Sequence, residues 1–166
     1  MRIIGTTLAA TALVLGGTSA ASAQAPAATT CKAADLSIAV GRADGAAGTV
    51  HREVLLTNRG TGTCVLRGFP GVSYVNSDGQ QIGKAARRVG DRGPLVTLTR
   101  GATAVSDVGF TSAGNFDPEV CDMTPVWGVK VYPPDSFDPL YLGLLGQNGC
   151  AGDVDQLAVA TVQSWS

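Results

Sequence analysis

The stretch Cys64-Val65-Leu66-Arg67-Gly68-Phe69-Pro70-Gly71-Val72-Ser73-Tyr74-Val75 decides the fold. It holds two short apolar runs, residues 64–67 and 72–76, that read as β-strands. Between them lies Gly68-Phe69-Pro70-Gly71. Proline donates no ladder hydrogen bond and glycine admits a sharp reversal, so these four residues predict a corner, not one continuous strand.

The same two-residue period extends outward. Leu36, Ile38 and Val40 alternate with Ser37, Ala39 and Gly41, the pattern of a strand with one buried face. Val50, Val54 and Leu56 share a face of the next strand; Arg52 interrupts that face and is expected near an edge. Asn76-Ser77-Asp78-Gly79 is a hairpin-turn signal. Residues 80–93 read as a polar, basic connection with a short helical turn at 85–88. Residues 95–98 and 102–110 read as a strand pair about Arg100-Gly101, with Ser106 interrupting an otherwise apolar face. Residues 112–125 read as a long loop. Trp127, Val129 and Val131 share a face of the following strand, with Trp127 expected in the core, and Pro133-Pro134 stops it. Leu157 to Val162 is apolar on both faces, which suits the middle of a sheet. About eight or nine short strands and no sustained helical period predict an all-β, immunoglobulin-like β-sandwich, with a closed barrel as the alternative.

Residues 1–23 combine a basic start (Arg2), an apolar run over 3–17 and Ala21-Ser22-Ala23, the pattern of a secretory signal peptide. The apolar run is too short to span a bilayer, and no later run is long enough. No cysteine stands at the cleavage point, which argues against a lipid anchor. Residues 24–30 read as a flexible leader and 31–164 as the folded domain. Removing Arg2 leaves 11 basic against 13 acidic residues. That balance favours neither nucleic acid nor an anionic membrane.

Four cysteines (Cys31, Cys64, Cys121, Cys150) in an exported chain predict disulfides, with three possible pairings. Hairpin register selects one. A turn at Gly45-Ala46-Ala47-Gly48 places position 31 opposite position 64, and a turn at Asp135-Ser136 places 121 opposite 150. No metal site or other cofactor is expected: there is no Cys-x-x-Cys, and His51, the single histidine, is not at ligand spacing.

The chain resembles the domain-of-unknown-function family 4232 (DUF4232) of secreted actinobacterial proteins. The residues that carry the resemblance include Leu55-Leu56-Thr57-Asn58, the segment from Thr63 to Val72 with its Cys-x-Leu-x-Gly-aromatic-Pro-Gly pattern, Asp78-Gly79, Ile82-Gly83, Leu98-Thr99-Arg100-Gly101-Ala102, Cys121 and Val131-Tyr132-Pro133-Pro134. One departure stands at Arg100, where the family usually has proline. The resemblance implies a secreted or envelope-associated β-sandwich with two disulfides and implies no activity.

The residues themselves weigh against catalysis. A Ser-His-Asp triad would have to use His51, mid-strand and opposite in parity to Val50 and Val54, and no Gly-x-Ser-x-Gly elbow is present. The carboxylate pairs Asp117/Glu119, Asp135/Asp138 and Asp153/Asp155 read as turn formers, and no Asp-x-Asp-x-Asp-Gly calcium loop occurs. The basic cluster Lys84, Arg87, Arg88 and Arg92 reads as a solvated loop, with a polyanion contact as the alternative. Loop aromatics at Asn115-Phe116-Asp117 and at residues 136–141 are candidates for recognition. Trp165 is expected to be either docked or disordered. The expectation is a non-catalytic module, binding or structural, facing an extracellular protein or envelope ligand. The alternatives are a protease inhibitor using the loop at 118–123 and an unrecognised hydrolase.

Overall fold

The computed structural model describes residues 28–165. The signal peptide read at residues 1–23 lies outside them, as does the first part of the leader. Twelve strands occur among the described residues: β1 (Leu36–Ala46), β2 (Thr49–Asn58), β3 (Cys64–Leu66), β4 (Gly71–Val75), β5 (Gln81–Ile82), β6 (Arg87–Val89), β7 (Val96–Leu98), β8 (Thr103–Thr111), β9 (Met123–Tyr132), β10 (Leu140–Cys150), β11 (Leu157–Ala160) and β12 (Gln163–Ser164). The count exceeds the expected one because several are two- or three-residue strands with little sequence period to read.

The strands form a sandwich and no barrel. The larger sheet runs β1-β2-β8-β11-β6 with β12 on β8, the smaller runs β10-β9-β4-β5, and β3 and β7 make a separate ribbon. The inner faces share one core, in which Val54, Val108, Phe110 and Val159 meet Val72, Tyr74, Val129 and Val131. A second cluster under the ribbon joins Leu36, Leu56, Leu66, Val96 and Leu98. Each such side chain contributes about 1.5–3 kcal/mol when fully buried, so the two clusters are what hold the layers together.

The Gly68-Phe69-Pro70-Gly71 corner carries the chain from the ribbon into the smaller sheet. Gly68 adopts φ +100°, open to glycine without a Cβ clash. Its carbonyl accepts hydrogen bonds from the Val162 N–H at 2.8 Å and the Thr161 hydroxyl at 3.1 Å, which fasten the corner to the last strands. Asn58, buried at the end of β2, has a comparable role. Its amide donates to the carbonyls of Gly62 (2.8 Å) and Leu98 (2.9 Å), and its side-chain oxygen accepts from the Gly60 N–H at 2.9 Å. One side chain thus ties β2, the following loop and β7 together.

The disulfides are Cys31–Cys64 and Cys121–Cys150, the pairing that hairpin register selected. The route differs from the expected one. β1 and β2 pair Ala46 with Thr49 across the turn, but a bulge between Val40 and Ala43 shifts the register so that Leu36 meets Asn58. The Glu53 side chain occupies the space beside Gly41 that a Cβ would need, and its carboxylate accepts the Arg42 N–H at 3.0 Å. The Arg42 side-chain hydrogen bond holds that carboxyl below the usual carboxylate range. Cys64 then belongs to β3, and Thr30 pairs with Val65 in parallel sense, so the first bridge does not extend the β1–β2 ladder. Leu140 meets Val131 as the second register requires, but a bulge between Gly143 and Gln147 moves Cys150 opposite Met123, and Cys121 reaches it from the helical turn before β9.

Four local expectations are corrected. β7 pairs with β3 and not with β8, because the turn at Gly101 hands the chain from the ribbon to the larger sheet. Residues 87–89 form the edge strand β6, parallel to β11, in place of a helical turn. Arg52 lies on an interior strand, half-buried between β1 and β8 partners. Trp127 is 43% exposed, since the β10 bulge opposite it breaks the alternation: Val126 and Val129 both turn inward and Trp127 turns out. The thin strand β11, by contrast, does lie inside its sheet, between β8 and β6. Among the described residues no helix is long and apolar enough to cross a membrane.

Candidate functional site

The titratable residues singled out by sequence are mostly occupied with one another. His51 stands on the outer face of β2, exposed as parity predicts, with Nδ1 2.6 Å from Asp107 Oδ2 on β8. Ser106, the serine beside Asp107, is buried on the opposite face and donates to the Ala160 carbonyl at 2.7 Å. The His–Asp pair therefore has no hydroxyl nucleophile delivered by its own neighbour.

Asp117 caps the helical turn α1 (Pro118–Cys121), its carboxylate accepting the Glu119 N–H at 2.9 Å. Lys84 bridges Asp153 at 2.8 Å and Asp155 at 3.6 Å, and the Asp153 hydrogen bond raises the lysine pKa. Arg92 reaches Asp135 at 3.4 Å, and the Arg88 guanidinium lies 5.9 Å from the centre of the Phe69 ring. The basic cluster is thus divided among acidic and aromatic partners, with Arg87 exposed on the edge strand. Among the described residues no three His, Cys, Asp or Glu side chains are grouped to hold a metal ion.

The two candidate loops behave differently. Phe116 packs on the cluster of Ala113, Cys121 and Cys150 and closes one end of the core. Phe137 projects at 95% exposure beyond the turn between β9 and β10. Within the 118–123 segment residues 118–121 form the helical turn α1, Asp122 caps it and Met123 opens β9; the Asp117 carbonyl accepts from Val120 and Cys121 and the Pro118 carbonyl from Asp122. Those carbonyls are engaged internally, so the segment does not present an extended chain to a protease cleft. Trp165 is docked through its backbone, donating to the Thr103 carbonyl at 3.1 Å, while its side chain stays half exposed.

The outer face of the smaller sheet carries an arrangement that sequence did not assemble. Trp127 of β9 and Tyr141 of β10 flank a cleft of about 260 Å³ closed by the β4–β5 turn at Asn76–Gly79. Both rings rest beside glycines: a Cβ on Gly143 would lie 3.6 Å from the indole, and one on Gly79 3.6 Å from the phenol ring. Gly79 is also required by the turn, at φ +77°. The Asn76 side chain is spent on the turn itself, its oxygen accepting from the Asp78 and Gln80 N–H groups at 3.0 and 2.9 Å. The Ser77 hydroxyl and Asp78 carboxylate take no such part and stand at the cleft edge. Lys130, paired with Tyr141 across the strands, lies 5.9 Å from the Tyr132 ring centre and extends the surface. The sequence signal for this site was the glycine at 143 alternating with aromatics on neighbouring strands. It was unreadable without the bulge that turns Trp127 outward.

Comparison of the chain with curated proteins and with solved structures returned no match. The family profile described as "Domain of unknown function (DUF4232)" matches residues 31–165, which takes in every strand of both sheets and both disulfides. The chain belongs to the DUF4232 family.

Proposed function

We propose that this chain is a non-catalytic binding module that works outside the cytoplasm, with the Trp127–Tyr141 cleft as its contact surface and a glycan as its ligand. The observation that carries the reading is the pair of half-exposed aromatic rings, 43% and 48% exposed, held on glycines beside a free hydroxyl and carboxylate. Aromatic side chains with one wet face supply large contact area at small conformational cost, and they are the usual anchors of binding surfaces. A sugar ring offers an apolar face for stacking and hydroxyls for Ser77 and Asp78. The two disulfides agree with an oxidising compartment, as does the signal-peptide pattern at residues 1–23. The non-catalytic reading is supported by Ser106, the hydroxyl next to Asp107, which is buried on the opposite face and donates to the Ala160 carbonyl, away from His51.

The test is co-sedimentation of the mature protein with insoluble cell-wall polysaccharide and peptidoglycan, alongside Trp127→Ala and Tyr141→Ala. Loss of a central aromatic anchor costs about 2 kcal/mol or more, so retention should fall at least roughly tenfold. Equal sedimentation of the parent and both variants, or none by any of them, would count against the cleft. Hydrolysis of the same polymers that disappears in His51→Ala, with the fold intact, would overturn the non-catalytic assignment.

A further inference from the structure

A second cleft opens at one end of the sandwich, between the two sheets. It has a volume of about 440 Å³, within the roughly 300–1,000 Å³ typical of small-molecule sites. Val50 and Phe110 of the larger sheet form one wall; Met123, Gln147 and Asn148 of the smaller sheet form the other. Its lining includes no acidic, basic or histidine side chain and shares no residue with the Trp127–Tyr141 cleft.

Tyr74 reaches this cleft from β4, an interior strand of the smaller sheet. The residue is 2% exposed, and its ring packs on Phe110 with 5.9 Å between centroids. Every fully buried side-chain nitrogen or oxygen among the described residues has a hydrogen-bond partner. The Tyr74 hydroxyl takes part in no hydrogen bond among the described residues, so it keeps a little accessible surface, and Tyr74 is one of the residues that line the cleft. Phenylalanine would fill the same core volume without a polar group to satisfy. A ligand that displaces water from this hydroxyl without offering an acceptor would forfeit about 1–3 kcal/mol, so the cleft favours a ligand that carries one.

We infer that this cleft binds a small uncharged molecule with an apolar ring and an acceptor oxygen, the ring seated on Val50, Phe110 and Met123 and the oxygen accepting a hydrogen bond from the Tyr74 hydroxyl. No lining residue is charged, and the Arg52 guanidinium that acts on Tyr74 lies outside the lining, so an ion would leave water without a direct partner on the cleft wall and a neutral ligand is favoured. A phenol is protonated at neutral pH, and burial raises the Tyr74 pKa further, so the hydroxyl can serve as the donor. The inference is independent of the glycan reading, since the two clefts have no residue in common.

The experiment uses the mature protein and a matched pair of probes, acetophenone and ethylbenzene, which differ in a carbonyl. Met123 is the one methionine after Met1, so a ¹³C-methyl label on methionine reports from the cleft wall. The expected result is a saturable shift of the Met123 methyl and of the Tyr74 and Phe110 ring resonances. Tyr74→Phe should weaken acetophenone roughly threefold to tenfold, the range of one neutral hydrogen bond, and leave ethylbenzene unchanged. Val50→Trp, which fills the mouth from a partly exposed position, should abolish both. An amide spectrum like the parent's establishes that each variant is folded. Absence of a saturable shift in the parent protein, or equal affinity of acetophenone for the parent and folded Tyr74→Phe, would overturn the proposal.

Discussion

Replacing Gln156 with methionine should destabilise the domain far more than its place in a polar loop suggests. Gln156 is 5% exposed and sits just before β11. Its side-chain oxygen accepts the Cys150 N–H at 2.7 Å, and its amide donates to the carbonyls of Asn148 at 3.2 Å and Thr111 at 3.0 Å. Asn148 and Cys150 belong to β10 of the smaller sheet, and Thr111 ends β8 of the larger. The residue is therefore a polar clasp between the layers. Methionine keeps the volume and removes all three bonds. The buried Cys150 N–H then loses its acceptor, at about 1–3 kcal/mol, and two carbonyls lose a donor at smaller cost. A total of about 2–4 kcal/mol follows, and for a domain of this size that lowers Tm by about 7–14 °C. Urea unfolding with the disulfides intact, followed by circular dichroism, measures it. Gln156→Glu separates the chemistry from the packing. In the folded state a carboxyl there is buried and has its pKa raised, so the variant should be least impaired below about pH 4 and lose stability as pH rises above it. A Gln156→Met variant within about 0.5 kcal/mol of the parent, the range of ordinary surface changes, would refute the clasp.

Three further outcomes are expected. Cys121→Ser with Cys150→Ser opens a loop whose ends are 29 residues apart and should cost about 3–4 kcal/mol by loop-entropy arithmetic; a midpoint in urea unchanged from the parent would contradict it. Gly83 has φ +63° and its Cβ would collide with the Cys150 carbonyl, whereas Gly90 has φ +80° and open space around it. Gly83→Ala should therefore be clearly more destabilising than Gly90→Ala, which carries only the left-handed penalty of about 1–2 kcal/mol, and equal melting temperatures would show the contact to be relieved. Burial pushes the Tyr74 phenol up to about 12, against an opposing influence from Arg52. Its folded pKa lies above the unfolded value near 10, so its contribution is intact below pH 10 and stability falls as pH rises through about 12. Ultraviolet titration should show a late tyrosine that is missing in Tyr74→Phe.

Local chemistry determined much of this protein from sequence. Alternation of apolar side chains placed β1, β2 and β8, because a strand with a dry face requires it, and a run apolar on both faces placed β11 inside a sheet. Gly68-Phe69-Pro70-Gly71 set the corner, and Asn76-Ser77-Asp78-Gly79 set a turn, through backbone angles that few residues adopt. Four cysteines in an exported-looking chain gave both bridges. What the tertiary structure alone decided was everything that depends on counting across strands. Two bulges altered the registers, one by drawing Glu53 over Gly41 and the other by facing extra β10 residues to Trp127. β3 and β7 found each other across the chain, which no local period encodes. Both clefts belong to this second class. Trp127 reads as core until its strand loses alternation, and Tyr74 reads as an ordinary strand residue until Phe110, Met123 and Asn148 are brought with it to one cleft. Side-chain period is a property of one strand, whereas a binding surface is made where several strands meet.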